Sequence, residues 1–326
     1  MRGIMNTPIG GENMNNRKIV IVGDGAVGSS IAFALTLSDF VSEIVIIDIN
    51  KAKAEGDALD LNHGMSLTSP KKIYAGEYKD VKNAKVIVLA CGVGQREGET
   101  RLQLLDRNKR VFDSVLDSMK PYLEKEAIVL VVSNPVDILS YHVYKHLDLP
   151  SSQVIGSGTV LDTARLKYLL SLDTGIDPRN IHAYVIGEHG DSEIAAFSVT
   201  SIAGLSVTKF CDKCGKCNKK NVRNLEKMQD DVRHAAYEII QKKGATYYGI
   251  AVSTKRILKA ILNDEHSVLT VSTFLQNEFD GQVDDVYLSL PVVLGNKGVE
   301  RIIRPDYSED EVEGLVKSAR VLKENR

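Results

Sequence analysis

The chain of 326 residues carries no excess of charge of either sign: 41 lysines and arginines stand against 43 acids, a formal net charge of -2. Without a basic surplus or a long single-sign block there is no electrostatic footprint for nucleic acid or for a membrane surface, so the expected partner is a small molecule. Nor is there an apolar run near the ~18 residues that a membrane span requires. Residues 1–16 are polar and glycine-containing, without the apolar segment of a secretory signal. The cytoplasm is the expected compartment. Cysteine is scarce: Cys91 stands apart and Cys211, Cys214 and Cys217 stand together, which is no disulfide framework for a chain this long, and reduced thiols follow. Internal repeats and low-complexity linkers are lacking too. What remains, 43% hydrophobic and 26% charged residues, suits a globular chain with room for two domains and a large core.

Order begins after residue 16. The apolar run 18–22 enters Gly23-Asp-Gly-Ala-Val-Gly28, and an apolar helical pattern follows through Ile31, Leu35 and Leu37. A bare G-x-G-x-x-G motif is weak, but here a second apolar run, 43–47, ends in Asp48, twenty residues beyond the third glycine. That context predicts a dinucleotide site: Gly23 for the tight turn, Gly25 for approach of a pyrophosphate, and Gly28 for close packing of helix on strand. Asp48 would accept bonds from a ribose diol, and its charge would repel the additional phosphate of NADP, so NAD is the expected cofactor.

Helical and strand patterns then alternate: helix 51–63, strands 71–75 and 85–90, helix 102–123 and strand 127–133. This alternation predicts an α/β protein with a doubly wound parallel Rossmann sheet, followed by a mixed α+β substrate domain. The expected division is 17–158 for the NAD-binding domain and 159–326 for the catalytic domain, with 1–16 an arm or extension. Ligands of such sheets lie beyond the carboxyl ends of the strands, where the loops 23–28, 92–101 and 133–137 would line one cleft.

The second half reads as a helix at 160–172, a buried strand at 181–186, helices at 222–241 and 247–262, strands within 267–294 and a terminal helix from Glu309. The strand at 181–186 ends in a glycine-bracketed His189 flanked by Glu188 and Asp191. A histidine can accept and donate a proton near neutral pH, so His189 is the candidate acid/base. Asp162 and Arg165, three residues apart on the helix 160–172, share one face of it.

Five motifs in order, 23–28, Gln95-Arg-Glu-Gly-Glu-Thr-Arg101, Ser133-Asn-Pro-Val-Asp137, Leu161-Asp-Thr-Ala-Arg165 and Gly187-Glu-His-Gly-Asp191, closely resemble the L-lactate/malate dehydrogenase family, with bacterial L-lactate dehydrogenases most alike. The resemblance covers about residues 17–322. It implies NAD-dependent hydride transfer between L-lactate and pyruvate, with His189 as acid/base, Asp162 on its far nitrogen and Arg165 gripping the substrate carboxylate. Arg101, on a mobile loop, would close over the substrate and polarise its carbonyl; Asn134 and Thr246 would complete the pocket. On the cofactor side it implies Val27, Asp48, Lys53, Tyr78, Gly92, Val93, Ser114, Asn134 and Ser157 beside the three glycines.

Gln95 stands where the family's malate enzymes carry an arginine, which favours pyruvate over oxaloacetate. A dehydrogenase of malate or of a branched 2-hydroxy acid, and a catalytically silent nucleotide-binding protein, are the alternatives. The resemblance also implies a homotetramer, and activation by fructose 1,6-bisphosphate between subunits through His182 and Lys167, the latter replacing the family's arginine. The Cys211, Cys214 and Cys217 cluster offers three thiols, one too few for a closed zinc site, so no metal is expected.

Overall fold

The structure, a computed structural model, describes residues 17–94, 101–213 and 225–326, without the side chains of 101, 102 and 211. The chain starts with β1 (Lys18–Val22), α1 (Ala26–Thr36), β2 (Glu43–Ile47), α2 (Lys51–His63), β3 (Lys72–Ala75) and β4 (Val86–Leu89). It continues through α3 (Arg101–Met119), β5 (Ile128–Val131), α4 (Val136–His146) and β6 (Val154–Gly156). β1, β2, β4 and β5 are short runs rich in β-branched residues, and β4 and β5 are buried along their whole length, as strands covered by helices on both faces must be. The strands β3, β2, β1, β4, β5 and β6 are neighbours in that order and all run parallel. The α/β, doubly wound sheet is therefore present. Helix α3 stops at Met119, four residues short of expectation, because Pro121 cannot continue it and the chain tightens into a single turn over Lys120–Tyr122. Helix α4 and strand β6 were not legible in the sequence pattern.

The second half supplies α5 (Val160–Thr174), β7 (Ile181–His182), β8 (Val185–Ile186), β9 (Ile194–Ala195), β10 (Ser201–Ile202), β11 (Leu205–Ser206) and α6 (Val207–Lys213). Then come α7 (Leu225–Lys243), α8 (Tyr248–Leu262), β12 (Ser267–Leu269), β13 (Ser272–Leu275), β14 (Val286–Ser289), β15 (Val292–Gly295), β16 (Gly298–Ile302) and α9 (Glu309–Glu324). The single strand expected over 181–186 is in fact two. β7 pairs with β10, β8 pairs with β9, and His182 is exposed where an unbroken buried strand would have hidden it. The apolar stripe of α7 is buried only at Met228 and Val232; Leu225, Ala236 and Ile239 are half-buried.

Two strands of the second half extend the sheet of the first. β13 adds antiparallel to β6, and β14 to β13, giving eight strands among the described residues. One apolar cluster accordingly joins Val129, Val131 and Leu139 with Ile186, Leu288 and Leu315. This junction brings the β8 end, and with it His189, against the N-terminus of α4. The main chains of Gly187 and Ser289 exchange two hydrogen bonds of 2.9 Å, and Asp137 of α4 accepts the His189 N–H at 2.8 Å.

Candidate active site

At the carboxyl ends of β1, β4 and β5 three loops meet. Gly23 has φ +101°, and a side chain there would strike the Cys91 backbone at 2.5 Å; a Cβ on Gly28 would lie 1.8 Å from the Gly23 carbonyl oxygen. Both glycines are therefore demanded by the turn, whereas Gly25 faces open space at the N-cap of α1 with no side chain capping the helix. Unpaired N–H groups and the positive end of α1 suit a pyrophosphate there. Asp48, just past β2, accepts the Asp24 N–H at 2.6 Å and the Asn50 N–H at 2.8 Å, so its carboxylate is fixed at the far lip of the turn. Each of its oxygens has a second lone pair for a ribose hydroxyl.

Lys53 is placed differently from a residue reserved for cofactor. Its ammonium donates to Asp24 at 3.0 Å and to Asp57 at 2.6 Å. Asp24 is buried, and burial pushes its carboxyl up to about 6 against the opposing pull of Lys53, so at neutral pH it is mostly ionised and its charge is offset by the Lys53 ammonium. On the far side of the cleft the Ser133 hydroxyl bonds the Leu89 and Cys91 carbonyls, and the Val93 N–H donates to Asn108 at 2.9 Å. That last bond fixes the chain after Gly92, where a Cβ would come within 3.0 Å of the same Asn108 oxygen. Tyr78 packs, half-buried, against the same apolar cluster as Cys91, and burial raises its hydroxyl above the ordinary value. Val27 is half-buried, Asn134 exposed and Ser157 buried with its N–H on the Val131 carbonyl. Ser114 stands exposed on α3, and Thr246 is half-buried between α7 and α8. Gln95 lies outside the described residues, as do Cys214, Cys217 and the Arg101 side chain.

The surroundings of His189 are built by α5. Asp162, in its first turn, is 1% exposed and is held on both oxygens. The His189 Nδ1–H donates to Oδ2 at 2.6 Å, and the Arg165 guanidinium donates to Oδ1 at 2.6 Å. Burial alone would favour the neutral acid, yet the imidazole and guanidinium overcome it and hold Asp162 below the ordinary carboxylate value. Burial likewise disfavours the imidazolium, but the charge and hydrogen bond of Asp162 outweigh it, with Asp137 and Glu193 adding to the effect, and His189 is pushed up to about 9. A histidine whose Nδ1 is committed to a carboxylate presents Nε2 as its exchangeable proton position.

Two further carboxyls surround this pair without having been singled out in the sequence. Asp137, buried, accepts the His189 N–H and the Ser272 hydroxyl; burial pushes it up to about 6 despite both bonds. Glu193 is 3% exposed, has its Oε1 without a partner, and is pushed up to about 8, first by burial and then by the charge of Asp162. The acids that flank His189 in sequence turn elsewhere: Glu188 accepts from Ser192, and Asp191 from Tyr237 at 3.0 Å. Asp137 lay inside a recognised motif, which was its only signal; Glu193 had none. Lys167, two residues beyond Arg165, is half-buried, and burial followed by the charge of Arg256 lowers its ammonium below the ordinary value.

The domain described as "lactate/malate dehydrogenase, NAD binding domain" matches residues 17–156, and "lactate/malate dehydrogenase, alpha/beta C-terminal domain" matches 159–326. The chain is similar to the L-lactate dehydrogenase of Acetivibrio thermocellus, 47% identical over 95% of this chain and 98% of that protein. It is similar also to that of Thermoanaerobacterium saccharolyticum, 50% identical over 94% of this chain and 96% of the relative. Among solved structures, a lactate dehydrogenase from a Medee basin deep-sea metagenome library superposes with a TM-score of 0.90 at 43% identity, covering 96% of this chain and 98% of that one. The minor L-lactate dehydrogenase of Enterococcus mundtii does so with a TM-score of 0.90 at 40% identity, covering 95% and 98%.

Proposed function

The chain belongs to the lactate/malate dehydrogenase family, and from that premise we propose that it is an NAD-dependent L-lactate dehydrogenase in which His189 is the acid/base. The observation that carries the role of His189 is the Asp162 carboxylate, bonded at 2.6 Å to His189 on one oxygen and to Arg165 on the other. NAD, when bound, supplies the carrier that takes the hydride from C2 of lactate or returns it to pyruvate. Gly23, Gly25, Gly28 and the first turn of α1 would hold its pyrophosphate and Asp48 its ribose, with Val27, Tyr78, Gly92, Val93, Asn134 and Ser157 around it. Ser114 remains part of this assignment by resemblance alone. Lys53 acts through Asp24, neutralising a carboxyl that would otherwise repel the phosphates.

In pyruvate reduction the His189 imidazolium gives its Nε2 proton to the carbonyl oxygen, and in lactate oxidation neutral His189 takes the hydroxyl proton. A histidine that titrates near 9 rests protonated at neutral pH, so the site is poised for pyruvate reduction. Asp162 fixes the tautomer and stabilises the imidazolium, as a buried carboxylate does in any such pair. Arg165, 15% exposed, bonds Asp162 through one nitrogen and offers its remaining N–H groups to the substrate carboxylate. Arg101 closes over the substrate, and Asn134, Thr246 and Gln95 bound the pocket, Gln95 giving the pyruvate methyl a neutral wall.

Exposed apolar side chains on four helices, Phe33 of α1, Leu59 of α2, Tyr168 and Leu172 of α5, and Tyr248 and Val252 of α8, support assembly with further copies as a homotetramer. Lys167, whose ammonium would gain from an anion in its half-buried place beside Arg256, and the exposed His182 support fructose 1,6-bisphosphate as an effector held between subunits. The test of the catalytic reading is spectrophotometric. NADH absorbance falls on adding pyruvate, and falls less readily with oxaloacetate or a branched 2-oxo acid. Loss with none of the three would mark a silent nucleotide-binding protein, and preference for another acid would reassign the substrate.

A further inference from the structure

Away from the cleft, α3 and α4 lie side by side and face each other with two histidines and two aspartates. His142 and His146 are one turn apart on α4, and Asp113 and Asp117 one turn apart on α3, so each pair lies on one helix face. The His142 Nε2 is 2.7 Å and the His146 Nδ1 is 3.4 Å from a single atom, Asp113 Oδ1. The other nitrogen of His146 is 2.8 Å from Asp117 Oδ1. The imidazoles are about three-quarters covered, with 25% and 23% of their side chains exposed, and they leave one side open to solvent.

We propose that His142 Nε2, His146 Nδ1 and Asp113 Oδ1 form a site for a divalent transition ion of the zinc type, with water as fourth ligand and Asp117 as the carboxylate that orients His146. The donor set selects the ion. Two imidazoles and one carboxylate suit zinc, cobalt or nickel, while calcium and magnesium require oxygen shells. The spacing is close to what such an ion needs: ligands about 2.1 Å from a tetrahedral centre lie ~3.4 Å from one another. His146 and Asp113 already stand at that separation, and His142 must open from Asp113 by ~0.7 Å, within the reach of partly exposed side chains. A histidine that binds an ion through one nitrogen and a carboxylate through the other is the usual arrangement at metal centres, because the carboxylate fixes the tautomer and orients the ring. Here both nitrogens of His146 are committed in that way across two helices. Lys120, whose ammonium sits 3.4 Å from the His146 carbonyl oxygen, is a nearby cation that the ion's charge must tolerate. The bound ion would pin α4 to the middle of α3, the helix that begins at Arg101.

The test is calorimetric and spectroscopic titration of Co2+ and Zn2+ into untagged, ion-depleted full-length protein. Wild type binds one more ion per chain than His142→Gln/His146→Gln. That ion gives visible Co2+ bands without the near-ultraviolet thiolate band that the Cys211, Cys214 and Cys217 cluster would produce. Asp117→Asn retains the site with affinity about 10–100-fold weaker. Retained pyruvate-dependent NADH oxidation in each variant shows that it folds, since none of these residues touches the cleft, and single His142→Gln replaces the double variant should the latter be unstable. Equal stoichiometry and affinity in wild type and the histidine variants, or cobalt bound only with thiolate bands, would overturn the assignment and leave the three inter-helix His–Asp contacts as structural.

Discussion

Replacing Asp162 by Asn keeps the shape of the side chain and removes its charge, so it isolates what the carboxylate does for His189. The imidazole rises from 6.5 to about 9, and Asp162 is the largest contributor to that rise. At about 1.36 kcal/mol per pH unit the net stabilisation of imidazolium is ~3 kcal/mol. In the variant, burial continues to oppose the charge, and only the more weakly coupled Asp137 and Glu193 favour it, so His189 is expected to titrate at or below about 6.5. At pH 7.5 a group titrating at 9 is about 97% protonated and one at 6.5 about 9%, a loss of roughly tenfold in the species that reduces pyruvate. The assay is kcat/KM for pyruvate from pH 5.5 to 10, with NADH binding followed separately by fluorescence. Wild type should lose kcat/KM as pH rises through about 9, and Asp162→Asn should lose it near or below 6.5, the deficit growing between those limits and shrinking toward acid. NADH binding should be unchanged. A deficit of the same size at every pH would refute the electrostatic reasoning and leave Asp162 with an orienting role alone.

Glu193→Gln tests the buried neighbour. A carboxyl raised to about 8 costs the folded state stability as pH rises from its ordinary 4.5 through 8, so the variant should gain on wild type across that window, on the order of 3 kcal/mol between pH 5 and 8, read as Tm against pH. A constant difference would show that Glu193 ionises freely. Arg165→Lys retains the charge but loses the planar fork, and KM for pyruvate should rise about tenfold or more with a smaller change in kcat; an unchanged KM removes Arg165 from the substrate carboxylate. Gln95→Arg should move preference toward oxaloacetate by placing a cation beside its second carboxylate, measured as the ratio of the two kcat/KM values; an unaltered ratio discards the neutral-wall reading. Fructose 1,6-bisphosphate should lower the pyruvate KM weakly in wild type, more at pH 6 than at 7.5, and strongly in Lys167→Arg, since lysine grips phosphate without arginine's paired geometry. No effect in either protein at either pH ends the effector proposal.

The cofactor cleft was largely legible because its information is local. A glycine whose Cβ would meet a carbonyl at 1.8 Å and an acid at the end of the next strand are demands of a single β-α-β turn, and sequence spacing records them. That Asp162 and Arg165 share one face of α5 was readable for the same reason, one helical turn apart; their direct ion pair at 2.6 Å was not the expected reading and is a finding of the structure. Helix α4 was obscured because its entry, Ser-Asn-Pro-Val-Asp, reads as a loop until Pro135 is seen at the N-cap. The division of 181–186 into β7 and β8 depends on β10 and β9 as separate partners, which an uninterrupted apolar run does not disclose.

Sequence by itself determined the parallel sheet, the dinucleotide turn and the residue types of the His189 and Asp162 pair, since periodicity, glycine sterics and motif order all act over short stretches of chain. Tertiary structure decided the electrostatics. Asp137 reaches the His189 N–H across 52 residues, and Glu193 is left without a partner for Oε1 beside the same pair. It also decided that β13 and β14 complete the sheet begun by β1, and that two aspartates of α3 meet two histidines of α4. The physical reason is common to all four: desolvation and Coulomb interaction depend on what the folded chain brings within a few ångströms, and separation along the sequence does not measure that distance.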